Sequence, residues 1–123
     1  MSNPKRILVV DDEENLTFSL YQSFIMSDFE GEVMTASSGE DAFEKFSSTS
    51  FDVVLTDIAM PGMSGIDLLK KIKDIKPETK VIVMTAYPEN YKEEAEDAGA
   101  DSFLEKPFDN KVVRNLVMNF LGV

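Results

Sequence analysis

The stretch DVVLTDIAMPGMSGIDLL, Asp52 to Leu69, reads as one strand, one turn and one helix. Val53 to Thr56 is a short apolar run rich in β-branched residues, and it stops on Asp57. Met60, Pro61 and Gly62 then supply a turn signal that lifts the backbone and leaves the Asp57 carboxylate accessible. Ser64 is a candidate N-cap with Asp67 three residues on, and Ile66, Leu69, Ile72 and Ile75 follow as a helical apolar stripe. The same pattern recurs along the chain. Ile7 to Val10 runs into Asp11 and Asp12, Val81 to Met84 into Thr85, and Phe103 to Glu105 into Lys106.

Short apolar runs alternating with longer helical patterns indicate repeated βα units on a parallel sheet. The expected strands are Arg6 to Val10, Glu32 to Ala36, Asp52 to Thr56, Lys80 to Met84 and Asp101 to Glu105. The expected helices are Glu14 to Ser27, Gly39 to Ser47, Ser64 to Ile75, Glu89 to Ala98 and Asn110 to Leu121. Ser38 and Asp109 are further N-cap candidates, and Gly99 suits a left-handed helix stop. Val112, Val113, Leu116, Val117 and Phe120 give the last helix a core-facing stripe. The predicted fold is α/β, a flavodoxin-like, doubly wound (βα)5 three-layer sandwich with a five-stranded parallel sheet of order 2-1-3-4-5.

A chain of 123 residues with 43% hydrophobic and 28% charged residues fits a single domain spanning 1–123. The apolar runs are far too short to cross a membrane and nothing resembles a signal segment, so a cytoplasmic location is expected. No repeat beyond the βα rhythm and no linker is visible. Any output domain is expected to lie outside this sequence.

Absences narrow the chemistry. The chain has no cysteine and no histidine, which removes thiolate and imidazole ligands, nucleophiles and bases. Its 12 basic and 23 acidic residues leave a net charge of −11, which repels nucleic-acid phosphates and anionic membrane surfaces.

In a sheet of that order, strands one and three are neighbours, so Asp11, Asp12 and Asp57 converge at their carboxyl ends, where open α/β sheets bind ligands. Two carboxylates about 4 Å apart repel by about 4 kcal/mol at an effective dielectric near 20, so the site must raise a pKa or take up a cation. An all-oxygen donor set in a crevice open to water suits Mg²⁺, with Mn²⁺ as a substitute. Asp57 is the best phosphoryl nucleophile, with Thr85 and Lys106 presenting a hydroxyl and a point charge to phosphoryl oxygens. Taken singly, each residue has a plainer reading: an N-cap, a turn, a strand end, a surface charge. Together they require one end of one sheet.

The segments ILVVDDEE, DVVLTDIAMPGMSGIDLL, VIVMTAY and GADSFLEKPF, in that order, resemble the response-regulator receiver domains of two-component signalling, similar to CheY-like single-domain regulators. The resemblance covers essentially the whole chain. It implies that Asp57 accepts a phosphoryl group from a histidine kinase or phosphotransfer protein. It further implies that Mg²⁺ is held by Asp11, largely through water, by Asp12 and Asp57, and by the backbone carbonyl of Ala59. Thr85 and Phe103 would be the switch pair, Lys106 the phosphate partner, and the Lys106–Pro107 bond cis. Phe103 stands where a tyrosine is often found. Phosphorylation would remodel the face of helix four, strand five and helix five for a downstream effector or a covalently attached output domain. Helix four has only Tyr91, Ala95 and Ala98 as an apolar stripe, which suits a mobile element or an ordinary solvated helix. The implied protein is a signalling switch with self-catalysed gain and loss of the phosphoryl group, and no metabolite turnover.

The resemblance also places Ala59 and Tyr87, two residues beyond Asp57 and Thr85, at positions that tune hydrolysis. A methyl group cannot orient water and Tyr87 shields, so a long-lived phosphoaspartate is expected. Helix one has two apolar stripes, Leu16, Leu20 and Phe24 on one side and Phe18, Tyr21 and Ile25 roughly opposite. The second is either a docking face for the phosphodonor, a dimer contact on a monomer or phosphorylation-dependent dimer, or part of a helix buried on more sides. Two rival functions lack their motifs. A flavodoxin-type cofactor binder needs a glycine- and hydroxyl-rich loop after strand one, and an aspartyl-phosphate phosphatase needs two Asp spaced by two there; Asp11 to Glu14 offers neither.

Overall fold

A computed structural model describes residues 4–122 of the chain. Of the expected 1–123 domain span, residues 1–3 and 123 lie outside the described residues. Five βα units follow one another: β1 Arg6–Val10, α1 Glu14–Ile25, β2 Glu32–Ala36, α2 Gly39–Ser48, β3 Val53–Asp57, α3 Gly65–Ile75, β4 Lys80–Thr85, α4 Pro88–Asp97, β5 Ser102–Glu105 and α5 Asn110–Leu121. The strands are all parallel and lie in the order β2-β1-β3-β4-β5. This is the flavodoxin-like (βα)5 sandwich.

Alternate residues of each central strand point to opposite helical layers. Leu8, Val10, Val54, Val81 and Val83 pack with Ala42, Phe46, Ile66, Leu69, Ile72 and Ala95 of α2, α3 and α4. Ile7, Val9, Val53, Leu55, Ile82 and Met84 pack with Leu20, Phe24, Val113, Val117 and Leu121 of α1 and α5. Both faces are covered, which is why these strands read as continuous apolar runs.

The helix starts follow from local chemistry. Ser38, Ser64 and Asp109 each accept a first-turn N–H, and Ser64 with Asp67 forms a reciprocal capping box. Gly99, at φ +99°, follows α4, and Gly122, at φ +75°, ends α5. Several boundaries differ from expectation. Asp57 belongs to β3, paired with Met84, and Thr85 to β4, so the sheet carries both residues as part of its ladder. Helix α1 stops at Ile25 because the Ser27 N–H and hydroxyl both turn back onto the Phe24 carbonyl. Helix α4 begins one residue early, with Pro88 in its first turn.

Two side chains assigned to core stripes are exposed. Ile75 is 58% exposed, since a strict three-residue step drifts by about 60° per repeat on a 3.6-residue helix. Val112 is 55% exposed, since it stands about 100° from its neighbour Val113, which leads the buried row Val113, Val117 and Leu121. On α1, Leu20 and Phe24 are fully buried while Phe18 and Ile25 are 60% and 53% exposed and Tyr21 is exposed beside them. That answers the question of burial on more sides: the second stripe faces outward.

Candidate phosphoryl and metal site

The carboxyl ends of β1, β3, β4 and β5 meet in one crevice. Parallel register sets Val10 beside Thr56 and Asp57 beside Met84, so the residues leaving β1 and β3 lie together. Carboxylate oxygens of Asp11, Asp12 and Asp57 all fall within 4.8 Å of one another. Asp11 and Asp57 are buried and Asp12 is exposed, which leaves the cluster closed below and open to water above.

Lys106 reaches into this cluster from the end of β5. Its backbone N–H donates to the Thr85 carbonyl at 2.8 Å, extending the sheet by one step. Its Nζ donates to Asp11 Oδ2 at 2.7 Å and lies 3.2 Å from Asp57 Oδ1 and 3.7 Å from Glu13 Oε1. The Lys106–Pro107 peptide is cis. Asp11 Oδ1 accepts the Glu13 N–H at 2.9 Å, so its carboxylate is held by both oxygens. It does not cap α1; Glu13 occupies that position.

The electrostatics express a surplus of negative charge. Burial, and then the charge of Asp11, push the Asp57 carboxyl up to about 6 against the pull of Lys106. Burial likewise holds Asp11 above the usual carboxylate range although Lys106 opposes it. For Lys106 burial works against the charge, but the hydrogen bond it donates to Asp11 and the charges of Asp57 and Asp11 outweigh it and its pKa rises. One ammonium thus faces three carboxylates, a donor set of hard oxygens short of cations, which fits Mg²⁺.

The neighbouring positions complete the rim. Thr85 is buried, and its Oγ1 accepts the Tyr87 N–H at 3.0 Å. A hydroxyl in that bond keeps its own hydrogen free to donate. Tyr87 itself is 56% exposed at the start of α4, and Ala59 is exposed two residues beyond Asp57. Phe103 is half-buried against the core under α4, with Tyr91, Ala98 and Ala100. Phe18 and Tyr21 lie on the outer side of α1, on a groove shared with Thr35 and Lys45 rather than in the crevice.

Gly65 belongs to the site although its sequence position carried no assignment. A Cβ there would lie 2.0 Å from the Asp57 carbonyl oxygen, so α3 can begin against the end of β3 only with glycine. Glycine as the first residue after an N-cap serine is the signal that marked it. Glu13 is the second such residue, through its N–H on Asp11 and its carboxylate near Lys106.

The family model of the response regulator receiver domain matches residues 7–118. The chain belongs to the receiver domain family. It is 39% identical over 116 residues to the chemotaxis protein CheY of Thermotoga maritima, covering 91% of this chain and 94% of that one. It is 42% identical over 110 residues to the regulatory protein AtoC of Escherichia coli, covering 89% of this chain but 23% of that protein's length. Among solved structures, the response regulator TrrA of Thermotoga maritima in complex with Mg²⁺ and BeF superposes with a TM-score of 0.83 at 36% identity, covering 94% of this chain and 98% of that one. Receiver domains are generally non-catalytic signalling domains that meet histidine kinases or phosphotransfer proteins and effectors, and they bind Mg²⁺ at an acidic pocket. The Asp11, Asp12 and Asp57 cluster of this receiver domain fits that pocket. No helix among its described residues is long and apolar enough to cross a membrane.

Proposed function

We propose that residues 1–123 act as a single phosphoacceptor switch of a two-component or phosphorelay system, located in the cytoplasm. Asp57 is the acceptor of a phosphoryl group from a histidine kinase or phosphotransfer protein. The observation that carries this reading is Lys106 Nζ within 3.2 Å of Asp57 in a cluster of three carboxylates at the sheet's carboxyl end.

Asp11, Asp12, Asp57 and the Ala59 carbonyl would hold Mg²⁺, or Mn²⁺ in its place, and the ion supplies the charge neutralisation that lets a carboxylate meet a phosphoryl group. The residues do the rest. An Asp57 oxygen attacks phosphorus as the carboxylate, the P–N bond to the donor imidazole breaks, and the acyl phosphate forms with one P–O bond gained. Lys106 places its ammonium on phosphoryl oxygens as Asp57 gives up its charge to the new bond. Thr85 moves toward the same group and donates its free hydroxyl hydrogen to it, and Phe103 fills the space that Thr85 leaves. The α4–β5–α5 face changes population accordingly and is read by an effector protein or an attached output domain. With a charge of −11, this chain does not itself engage nucleic acid or membrane.

Ala59 and Tyr87 set the lifetime of the acyl phosphate: the first cannot orient an attacking water and the second shields it. Phe18 and Tyr21 on the outer stripe of α1 form the contact for the phosphodonor, or for a second copy of the chain. Intact mass after treatment with acetyl phosphate tests the central reading. The unaltered chain gains one phosphoryl group only with Mg²⁺ or Mn²⁺ present, and Asp57→Asn gains none. A gain that survives Asp57→Asn, or that needs no metal, overturns it.

A further inference from the structure

The loop that leaves Asp57 is tied at both ends. At the inner end the Ile58 N–H donates to the Met84 carbonyl at 3.1 Å, the Gly65 N–H returns to the Ile58 carbonyl at 2.9 Å, and Met60 is buried in the core. At the outer end the anchor comes from another element. The Met63 N–H donates to Glu40 Oε2, in the first turn of α2, at 3.1 Å. Two glycines make room for that bond. A Cβ on Gly39 would lie 2.6 Å from the Met63 carbonyl oxygen, and one on Gly62, whose φ is +75°, would lie 2.5 Å from Glu40 Oε2. A side chain on Gly39 would push α2 off the loop backbone, and one on Gly62 would displace the Glu40 carboxylate from the Met63 N–H.

We infer that Glu40 is a positioning residue for the phosphoacceptor site. By accepting the Met63 N–H it holds the 58–64 loop, and with it the Ala59 carbonyl that would be a ligand to Mg²⁺. The inference rests on the function proposed above. Glu40 touches no reacting group, and α3 needs nothing from it, since Ser64 and Asp67 already cap that helix. Its other role is the general one of an acid in the first turn of α2, favourable to the helix dipole. The two roles separate chemically. A glutamine keeps the acceptor oxygen and loses the charge, whereas an alanine loses both.

The test compares the full chain, Glu40→Ala and Glu40→Gln by amide NMR during Mg²⁺ titration, by hydrogen exchange at the Met63 amide, and by phosphoryl gain from acetyl phosphate. Glu40→Ala is expected to raise the Mg²⁺ concentration for half-saturation roughly three- to tenfold, less than a buried partner of a metal ligand would because this bond is exposed. It also speeds exchange at Met63 and leaves phosphoryl gain at saturating Mg²⁺ near that of the unaltered chain. Glu40→Gln stays near the unaltered chain in all three measurements. Unchanged Mg²⁺ binding in Glu40→Ala, or a glutamine variant that behaves like alanine, overturns the positioning role alone. An unaltered chain that neither binds Mg²⁺ nor gains a phosphoryl group overturns the underlying function and the inference with it.

Discussion

Asp57 is held at odds with its own charge. Its pKa in the folded chain is about 6 against an ordinary 3.8, so between these values the folded chain keeps a proton that the unfolded chain has released. Stability of the metal-free protein therefore falls as pH rises from about 4 through 6, by on the order of 3 kcal/mol for this group. Asp57→Asn removes the charge at nearly constant shape. At pH 7.5 without metal it is expected to raise the thermal midpoint by roughly 9–12 °C, and the difference should close below about pH 4. Scanning calorimetry across that pH range checks both; a destabilised Asn variant at neutral pH would show Lys106 pairing to outweigh burial. At the same scale, Ala59→Asn offers water a side-chain amide beside the acyl phosphate. Its hydrolysis, followed by loss of mass after donor removal, is expected to quicken several-fold, and an unchanged rate would remove Ala59 from the tuning of lifetime.

Among the elements, the β3–α3 connection bears the tightest steric demand. Gly65 lets α3 start against the Asp57 backbone, and a methyl group there would meet the Asp57 carbonyl oxygen at 2.0 Å and the Ile58 Cα at 2.8 Å. Neither contact is with a flexible side-chain end, so β3 or α3 must shift. Gly65→Ala is expected to cost about 2–3 kcal/mol in denaturant unfolding and to slow phosphoryl gain by displacing Asp57 from Lys106. A variant with both properties intact would show that the helix start can slide freely. The contrast with Gly99 is instructive: it has the left-handed backbone, but a Cβ there meets only the Lys73 side chain at 3.7 Å. One glycine answers to backbone conformation, the other to space beside the site.

For the molecule as a whole, the crevice and the outer stripe of α1 are separate surfaces on one rigid sheet. Phe18 and Tyr21 are exposed, so Phe18→Ser/Tyr21→Ser should change stability by less than about 0.5 kcal/mol. Phosphoryl gain from acetyl phosphate is expected to stay unchanged while transfer from a protein donor slows, or while the mass in solution drops if the stripe joins two copies. Light scattering and transfer kinetics separate the two; no change in either would leave the stripe without a partner.

Much of this was legible in the chain itself. Runs of Val and Ile without alternation mark strands covered on both faces, and Ser38, Ser64, Asp109 and Gly99 mark helix ends because capping is a local hydrogen-bonding problem. The Asp11–Asp12 pair, Asp57 and Lys106 stood at strand exits, and parallel topology brings strand exits together. Other properties depend on residues far apart in sequence. That Lys106 bonds Asp11 rather than solvent, that Asp57 is raised toward neutrality, that Gly65 must lack a side chain, and that Glu40 reaches Met63 all follow from which backbone lies against which. A sequence records the kinds of groups and their local spacing, while dielectric, contact and charge pairing are properties of the packed chain, and only the tertiary structure decides them.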